Sequence, residues 1–560
     1  MKVFKKECLP NGRVHIYFCG VKIASYKKRF FNKYQLVSLG FNCLPRTVLT
    51  LWGVKPTKGD GELSYPFDLA VHILPGVIDL LKADFKNYFT DVVWNETRGF
   101  YTKKDDSIRF NHDTDLKSID ELKERFKHRV ENFRNLRKSK KHLIFVIAID
   151  FSNYETPLDE YDVVPKERVE KINKIQRDLH ELKNVLKHYF KRNKFSLMVI
   201  DTLLELKPSN DYILIQSKIP SKDYALNWWK YEYISAPSGK TFEGKIVAAV
   251  KRHIAKIQHK ENILSDDEYN ALYANRFFNT LTLEDKKDII RYQFFKQAGY
   301  IPDIDNPKTF NEKMQWLKLN YLKPLMTKCA DKISVRDYVA EKIGQKYLVP
   351  CLGVWDNPED IDFDKLPNKF VLKVNHGSGQ NIIVDDKTKF NISDAVTKLK
   401  EWMKPENNWY YYSFENVYKD IKPKIIAEEF LETSNNDLPD YKIMCYDGIP
   451  KNLFVCSERR SGLKVTFFDL NWDRLPFNRM YPVSKNEIKK PKNFDEMLKI
   501  SKILSRDFPF VRVDFFEVNE KLYIGEMTFY PGNGMEPFNP CEWDRKLGNL
   551  LKLPKKPSNI

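Results

Sequence analysis

The 560-residue sequence predicts a multidomain protein of mixed α/β and α+β class, with an N-terminal α/β domain built on a mostly parallel sheet. Three observations predict it. In the first half, apolar β-branched runs alternate with long charged helical patterns, the rhythm of strand–helix–strand units. Beyond Tyr347 the chain becomes strand-rich. A hydrophobic content of 42% with 14% aromatic residues is that of a folded chain with room for two or three cores.

In chain order, residues 14–26 (VHIYFCGVKIASY) read as a hairpin turning at Cys19-Gly20. The basic KKRFFNK that follows reads as a solvated loop able to touch acidic lipid, and residues 1–33 form a segment of their own. YQLVSLGFNC, from Tyr34, is a buried strand running into a Gly-Phe-Asn-Cys turn, and PRTVLTLW opens a helix. LIFVIAID (143–150) and FSLMVID (195–201) are further strands, each closed by an aspartate. The helical segments 166–192 and 239–258 complete a domain over 34–260. A boundary is expected at the charged ENILSDDEYN, and the second domain covers 261–560. It is helical to about Ile343 and then runs through the strands KYLVPCLGVW, KFVLKVNHGSGQNIIV, KPKIIAEEFL, DYKIMCYDG, NLFVCSE, LKVTFFDL and FVRVDFFEVNEKLYIGEMTFYPG.

The formal charge of +18 suits an anionic partner, yet no basic-aromatic motif of a nucleic-acid-binding fold appears, which argues against nucleic acid. The eight cysteines are scattered without a CxxC pair, so neither a zinc site nor a disulfide framework is indicated. No apolar run approaches the roughly 20 residues that cross a bilayer. The expected location is the cytoplasm, with peripheral attachment at the inner face of the membrane as the one membrane option.

Chemistry concentrates in three places in the second half. In FVLKVNHGSGQNIIV, Lys373 ends one strand, Gly377-Ser378-Gly379 forms a turn, and a second strand follows. The glycines neither precede a Gly-Lys-Ser/Thr helix nor open one, which excludes a Walker loop and a dinucleotide fingerprint. A strand–loop–strand lid wrapping phosphate and an ordinary hairpin both fit. His376 reads as a structural donor, with phosphate or substrate as its other option. In VRVDFFEVNEKLYIGEMTFYPGNG, Arg512, Asp514, Glu526 and Thr528 can converge across a hairpin turning at Asn519-Glu520. Two carboxylates beside an arginine suit Mg²⁺ carrying phosphates; a surface ion-pair cluster is the other reading. Between them, Glu428 and Glu429 interrupt an apolar strand, as site residues or as solvated acids on an edge.

This order of motifs resembles the ATP-grasp superfamily. PKTFNEKMQWLKL (307–319), CADKISVRDYVAEKIGQKYLVP (329–350), LPNKFVLKVNHGSG (366–379), IIAEEFL (425–431) and GEMTFYPGNG (525–534) resemble its teichuronopeptide-biosynthesis branch over about 265–553. The resemblance implies two α+β subdomains clasping ATP, and a carboxylate activated as an acyl phosphate for attack by an amine or other nucleophile. It implies phosphate contacts from Lys332, Lys373 and the loop Gly377-Ser378-Gly379, an adenine–ribose hinge at Glu428 and Glu429, and Mg²⁺ on Asp514 and Glu526. Arg512 would face the reacting phosphoryl group. Thr528 stands where most such proteins have an asparagine, which weakens the second metal position. Glycan, sugar-nucleotide or amino-acid substrates and other polysaccharide-biosynthesis proteins are the partners implied. A phosphotransferase acting on a glycan hydroxyl and a non-catalytic binding module are the competing functions.

In the first half, SLGFNC, SYPFDL (64–69) and DFKNYF (84–89) resemble a bacterial family described as papain-like cysteine peptidases, over about 34–235. Cys43 lies at a strand-to-helix turn, where a helix N-terminus favours thiolate. The resemblance places its base at His112, with His72 as a second candidate and Asp113 or Asp68 to orient the imidazole. A buried packing thiol, or a crevice binding a sugar, nucleotide or acyl carrier, are the other readings of this half.

Overall fold

A computed structural model describes residues 4–8, 13–18, 21–27, 33–40, 43–57, 62–68, 70–96, 99–103, 108–110, 112–113, 115–116, 118–149, 165–192, 194–202, 205–221, 236–260, 262–278, 280–432, 438–459 and 461–555. The chain divides into two compact units, Met1–Asp285 and Lys286–Ile560.

In the first unit, β1 (Phe4–Cys8), β2 (Arg13–Phe18) and β3 (Val21–Lys27) form an antiparallel sheet in that order. The β2–β3 pairing follows the hairpin read in the sequence, while β1 was not read there; the Cys19-Gly20 turn lies outside the described residues. So do residues 28–32, Phe41, Asn42 and Asp150.

The main sheet begins with β4 (Tyr34–Ser38). An antiparallel sheet that sequence periodicity did not reveal follows, from β5 (Val71–His72), β6 (Val92–Asn95), β7 (Gly99–Thr102) and β8 (Ile108–Arg109). Strands this short carry too few residues for a period-2 signal. Then β9 (His142–Ile149), β10 (Phe195–Asp201) and β11 (Ile213–Gln216) join β4 in the all-parallel order β11-β10-β9-β4. The run LIFVIAI is apolar throughout because both faces are covered. Leu143, Phe145, Ile147 and Ile149 pack on one side with Ile78, Phe126, Phe133 and Leu182, while Ile144, Val146 and Ala148 pack on the other with Val48, Phe242 and Val250.

The sequence placed a boundary at 260/261, but helix Asp266–Ala274 packs on helix Pro237–Gln258 within the first unit. A Cβ on Gly244 would lie 2.2 Å from the Ala271 Cβ, so glycine permits this approach. Lys251 bonds both Glu268 carboxylate oxygens at 2.7 Å.

In the second unit, a smaller sheet comprises β12 (Cys351–Trp355), β13 (Phe370–Val374), β14 (Asn381–Val384) and β15 (Ile425–Glu429) in the order β12-β15-β13-β14. A larger antiparallel sheet orders β16 (Asp440–Tyr446), β17 (Ile449–Ser457), β18 (Lys464–Phe468), β19 (Phe510–Val518) and β20 (Lys521–Thr528) as β18-β17-β16-β19-β20. The small sheet has a core around Phe370, Leu372, Ala427 and Leu399; the large one packs helices Phe310–Asn320, Ser334–Ile343 and Phe494–Ser505. Helix Phe310–Asn320 starts at a capping box in which Thr309 and Glu312 satisfy each other's backbone N–H.

That helix is clasped by helix Glu542–Leu550, where a Cβ on Gly548 would lie 2.6 Å from the Lys308 carbonyl and 2.7 Å from the Phe310 nitrogen. Because the obstacle is backbone, Gly548→Ala is expected to cost about 1–3 kcal/mol, read as a lower midpoint in urea unfolding.

Candidate functional site

Within the second unit a cavity of about 590 Å³ lies between residues of the two sheets, lined by Lys332, Lys373, Gly379, Glu428, Glu429, Asp514 and Glu526 among others. Side chains scattered through some 200 positions of sequence meet there, and each arrives by a definable route.

Lys373 lies next to the end of β13, opposite Ile426 of β15, and its Nζ donates to Glu428 Oε2 at 2.6 Å. Glu428 Oε1 accepts from Arg336 at 2.8 Å, while Glu429 is exposed at the cavity wall. Lys332 follows helix Pro324–Ala330, and its Nζ donates to the Gly377 carbonyl at 2.7 Å. Burial pushes the Lys332 ammonium below the ordinary lysine range. In the loop, Gly377 is buried while Ser378 and Gly379 are exposed, with Gly379 in the left-handed region at φ +72°. A Cβ at 377 would overlap the folded-back Gln380 side chain, 1.8 Å from its Oε1.

The acids come from the β19–β20 hairpin, which turns at Asn519 (φ 50°) and Glu520 (φ 65°), the positive-φ pair of a two-residue hairpin. From the turn the strands pair regularly as far as Phe515–Ile524; a bulge at Gly525 then shifts the register, so that Asp514 pairs with Glu526 and Arg512 with Thr528. Without that extra residue Glu526 would sit opposite Val513, on the reverse face.

Arg512 Nε and Nη2 each reach Asp514 at 2.6 Å, and Nη2 also reaches Glu526 Oε1 at 2.8 Å and Thr528 Oγ1 at 2.9 Å. The sequence expectation had this guanidinium facing a phosphoryl group. It is buried, and its Nε and Nη2 are used on the two acids and Thr528, because all four side chains share one face of the paired strands. Burial pushes the Asp514 carboxyl up to about 6, against the pull of Arg512 and Lys442. Burial acts the same way on Glu526, yet Arg512, Lys442 and Lys332 hold it well below the ordinary carboxylate range. Thr528 donates to Glu526 Oε1 at 3.0 Å.

Sequence reading missed Asp440, Lys442 and Arg459. Lys442 on β16 donates to Asp514 and lies 2.7 Å from Asp440, which Arg459 meets at 3.0 Å. All three line the cavity. The signal was the D-x-K spacing in an otherwise apolar strand, which puts two charges on one face.

Asp514 and Glu526 supply hard oxygen donors next to a cavity rimmed by lysines. Among the described residues no group of three or more His, Cys, Asp or Glu could hold a metal. The donor set of Asp514 and Glu526 suits a hard cation such as Mg²⁺, which is commonly held through one or two carboxylates plus substrate phosphates.

His376 departs from its expected role as a structural donor. Its side chain is fully shielded from solvent, and neither ring nitrogen has a hydrogen-bond partner. Burial, with the nearby Lys332 charge, holds the imidazole down at about 4 against the influence of the Trp402 backbone.

In the first unit, Gly40 (φ +97°) carries the chain from β4 past His72, and Cys43 caps helix Leu44–Leu51. Cys43 Sγ lies 3.2 Å from His112 Nε2, although the two are 69 positions apart. The expected lowering of the thiol pKa does not follow: burial raises it, outweighing the Thr47 side chain and Arg46. Asp113 bonds Arg125 at 3.0 Å and Asp68 accepts from the Tyr65 N–H at 2.8 Å, so among the described residues neither orients the imidazole. His72 is buried, bonded to Tyr88 Oη and the Ala70 carbonyl and held at about 3 by burial.

Residues 312–552, less than half of the chain, match the family model described as TupA-like ATPgrasp. No curated protein matches. Similar solved structures include a D-alanine–D-alanine ligase from Helicobacter pylori, at 16% identity over 40% of this chain and 61% of that one, TM-score 0.23. Another, from Bacillus anthracis, is 16% identical over 49% of this chain and 85% of that one, TM-score 0.25. Cdc123 from Schizosaccharomyces pombe is 11% identical over 38% of this chain and 87% of that one, TM-score 0.24. The chain spans less than two thirds of the H. pylori structure. Likeness at this level says nothing about substrate. Among the described residues no helix is long and apolar enough to cross a membrane.

Proposed function

We propose that the second unit is an ATP-dependent ligase that joins a carboxylate to an amine or other nucleophile through an acyl phosphate. Its setting is bacterial capsule or other surface-polysaccharide assembly at the inner face of the membrane. An amino acid or uronic acid supplies the carboxylate, and a glycan or sugar nucleotide is the partner substrate. The observation that carries this reading is the convergence of Lys332, Lys373, Glu428, Asp514 and Glu526 on one cavity.

Lys373 and Lys332 bind phosphate oxygens, and Glu428 keeps the Lys373 ammonium aimed at them. Asp514 and Glu526 would hold Mg²⁺, with Thr528 beside them; the cation supplies neutralisation of charge on the phosphoryl oxygens. Arg512 and Lys442 hold the carboxylates in place, Asp440 steadying Lys442, and Lys442 lines the cavity with its charge toward the transferred group. The apolar wall at Phe430 and Leu431 next to Glu429 suits a purine ring.

The test supplies the full chain with Mg·ATP and panels of amino acids, uronic acids and amine acceptors. ADP release is expected to require both a carboxylate and an acceptor, with a product carrying a new amide or ester by mass spectrometry. ADP release without either substrate contradicts the ligase, and a product heavier by one phosphoryl group makes the unit a phosphotransferase.

A second activity, in the first unit, is favoured by the 3.2 Å approach of Cys43 to His112. Cys43 would attack the acyl carbon of an ester or amide, expelling its alcohol or amine and leaving a thioester that water or an acceptor then cleaves. Because burial raises the thiol pKa, His112 Nε2 takes the proton as the sulfur attacks. With p-nitrophenyl acetate, Cys43→Ser is expected to abolish the acylation burst and His112→Ala to slow it by roughly 100-fold. A burst unchanged in Cys43→Ser contradicts this activity.

A further inference from the structure

Asp440 opens β16, the central strand of the larger sheet, opposite Phe516 of β19, and Lys442 lies two positions on, opposite Asp514. Period-2 spacing puts Asp440 and Lys442 on one face, and all four of these residues line the cavity. The two oxygens of Asp440 differ. Oδ2 lies 2.7 Å from Lys442 Nζ and accepts from Arg459 at 3.0 Å, while Oδ1 has no hydrogen-bond partner among the described residues. The side chain is 6% exposed. A carboxylate oxygen this shielded is seldom left unpaired, so at a cavity wall it calls for a partner that the cavity binds.

The position of Asp440 narrows what that partner is. A single ammonium, Lys442 Nζ, bridges it to Asp514, so Asp440 stands at the metal and phosphoryl end of the cavity. A carboxylate oxygen accepts a hydrogen or meets a cation. Phosphoryl oxygens and the carboxylate substrate are acceptors themselves and offer neither. Mg²⁺ shared with Asp514 fits poorly, because the Lys442 ammonium already occupies the space between the two acids. What remains is the group that attacks the activated carboxylate, the one reactant at this end with a hydrogen to donate. A carboxylate favours an amine over a hydroxyl there, since the charged form of an amine makes a hydrogen bond roughly twice as strong as a neutral one.

We propose that Asp440 is a binding residue for the acceptor, a primary amine, with Oδ1 accepting one of its N–H groups. This rests on the ligase reading of the cavity and names the acceptor class that reading leaves open. A residue that only steadied Lys442 would use Oδ2 alone and would be indifferent to the acceptor.

The experiment saturates the full chain with Mg·AMPPNP and measures saturation-transfer NMR titrations of D-glucosamine, D-galactosamine and ethanolamine, each against its hydroxyl counterpart, D-glucose, D-galactose or ethylene glycol. Calorimetry with Mg·AMPPNP and urea unfolding accompany each variant. At least one amine is expected to bind wild type more tightly than its hydroxyl counterpart. Asp440→Asn keeps an oxygen for Lys442 and Arg459 but turns an NH₂ toward the place of Oδ1. It is expected to weaken that amine about tenfold or more and Mg·AMPPNP less than about threefold, and Asp440→Ser is expected to show the same split. Wild type that binds Mg·AMPPNP but no amine, or binds the hydroxyl counterparts as tightly, overturns the proposal and leaves the nucleotide site intact. So does an amine held equally by wild type and both variants, or amine and nucleotide weakened alike. Wild type that fails to bind Mg·AMPPNP overturns the reading of the cavity and the proposal with it.

Discussion

Glu526→Gln is expected to weaken Mg·ATP binding by at least the roughly 10–100-fold that loss of an outer-sphere metal partner costs, with the fold retained. The side chain is 42% exposed and faces the cavity, so its charge is not needed to satisfy a sealed interior. The amide keeps the shape and can still accept from Arg512 and Thr528 through its oxygen. What it loses is the negative charge that the three neighbouring cations maintain. Titration with ATP at fixed Mg²⁺, alongside urea unfolding, separates the two effects; unchanged affinity would remove Glu526 from the metal site.

Arg512→Ala carries the largest expected stability loss. Arg512 is buried, bonds Asp514 at two points, and reaches Glu526 and Thr528. Removing one partner of a buried charged network leaves the others uncompensated, at a cost of about 3–5 kcal/mol. Lys442 remains beside Asp514 and limits the damage. Because the variant brings two acids closer to an unneutralised state, Mg²⁺ is expected to raise its melting temperature more than that of wild type. A variant as stable as wild type, or one indifferent to Mg²⁺, would show that the guanidinium is not what holds the two carboxylates.

Much of this was legible in the sequence, for reasons that differ by element. The parallel sheet was readable because strands buried on both faces leave unbroken apolar runs such as LIFVIAI. The antiparallel sheet of β5 to β8 was not, since its strands are only two to four residues long. Period-2 spacing groups Arg512 with Asp514 and Glu526 with Thr528, but it cannot say that the two pairs face the same way. A plain two-residue hairpin would have turned them apart, and the Gly525 bulge decides the matter. The bulge has no signature beyond one glycine in a strand. Asp440 and Lys442 were visible as residues but not as site members, because their meaning depends on pairing with Asp514 across β16 and β19.

On the proposed function, ATP lies in the cavity between the two sheets of the second unit. Photolabelling of the full chain with 8-azido-ATP in the presence of Mg²⁺, followed by peptide mapping, tests it most directly. Label on the peptide spanning 425–432, at the Glu429–Phe430–Leu431 wall, competed away by ATP and lost in Glu526→Gln, is the predicted result. Label confined to residues 1–285, or labelling that ATP does not compete, would contradict it.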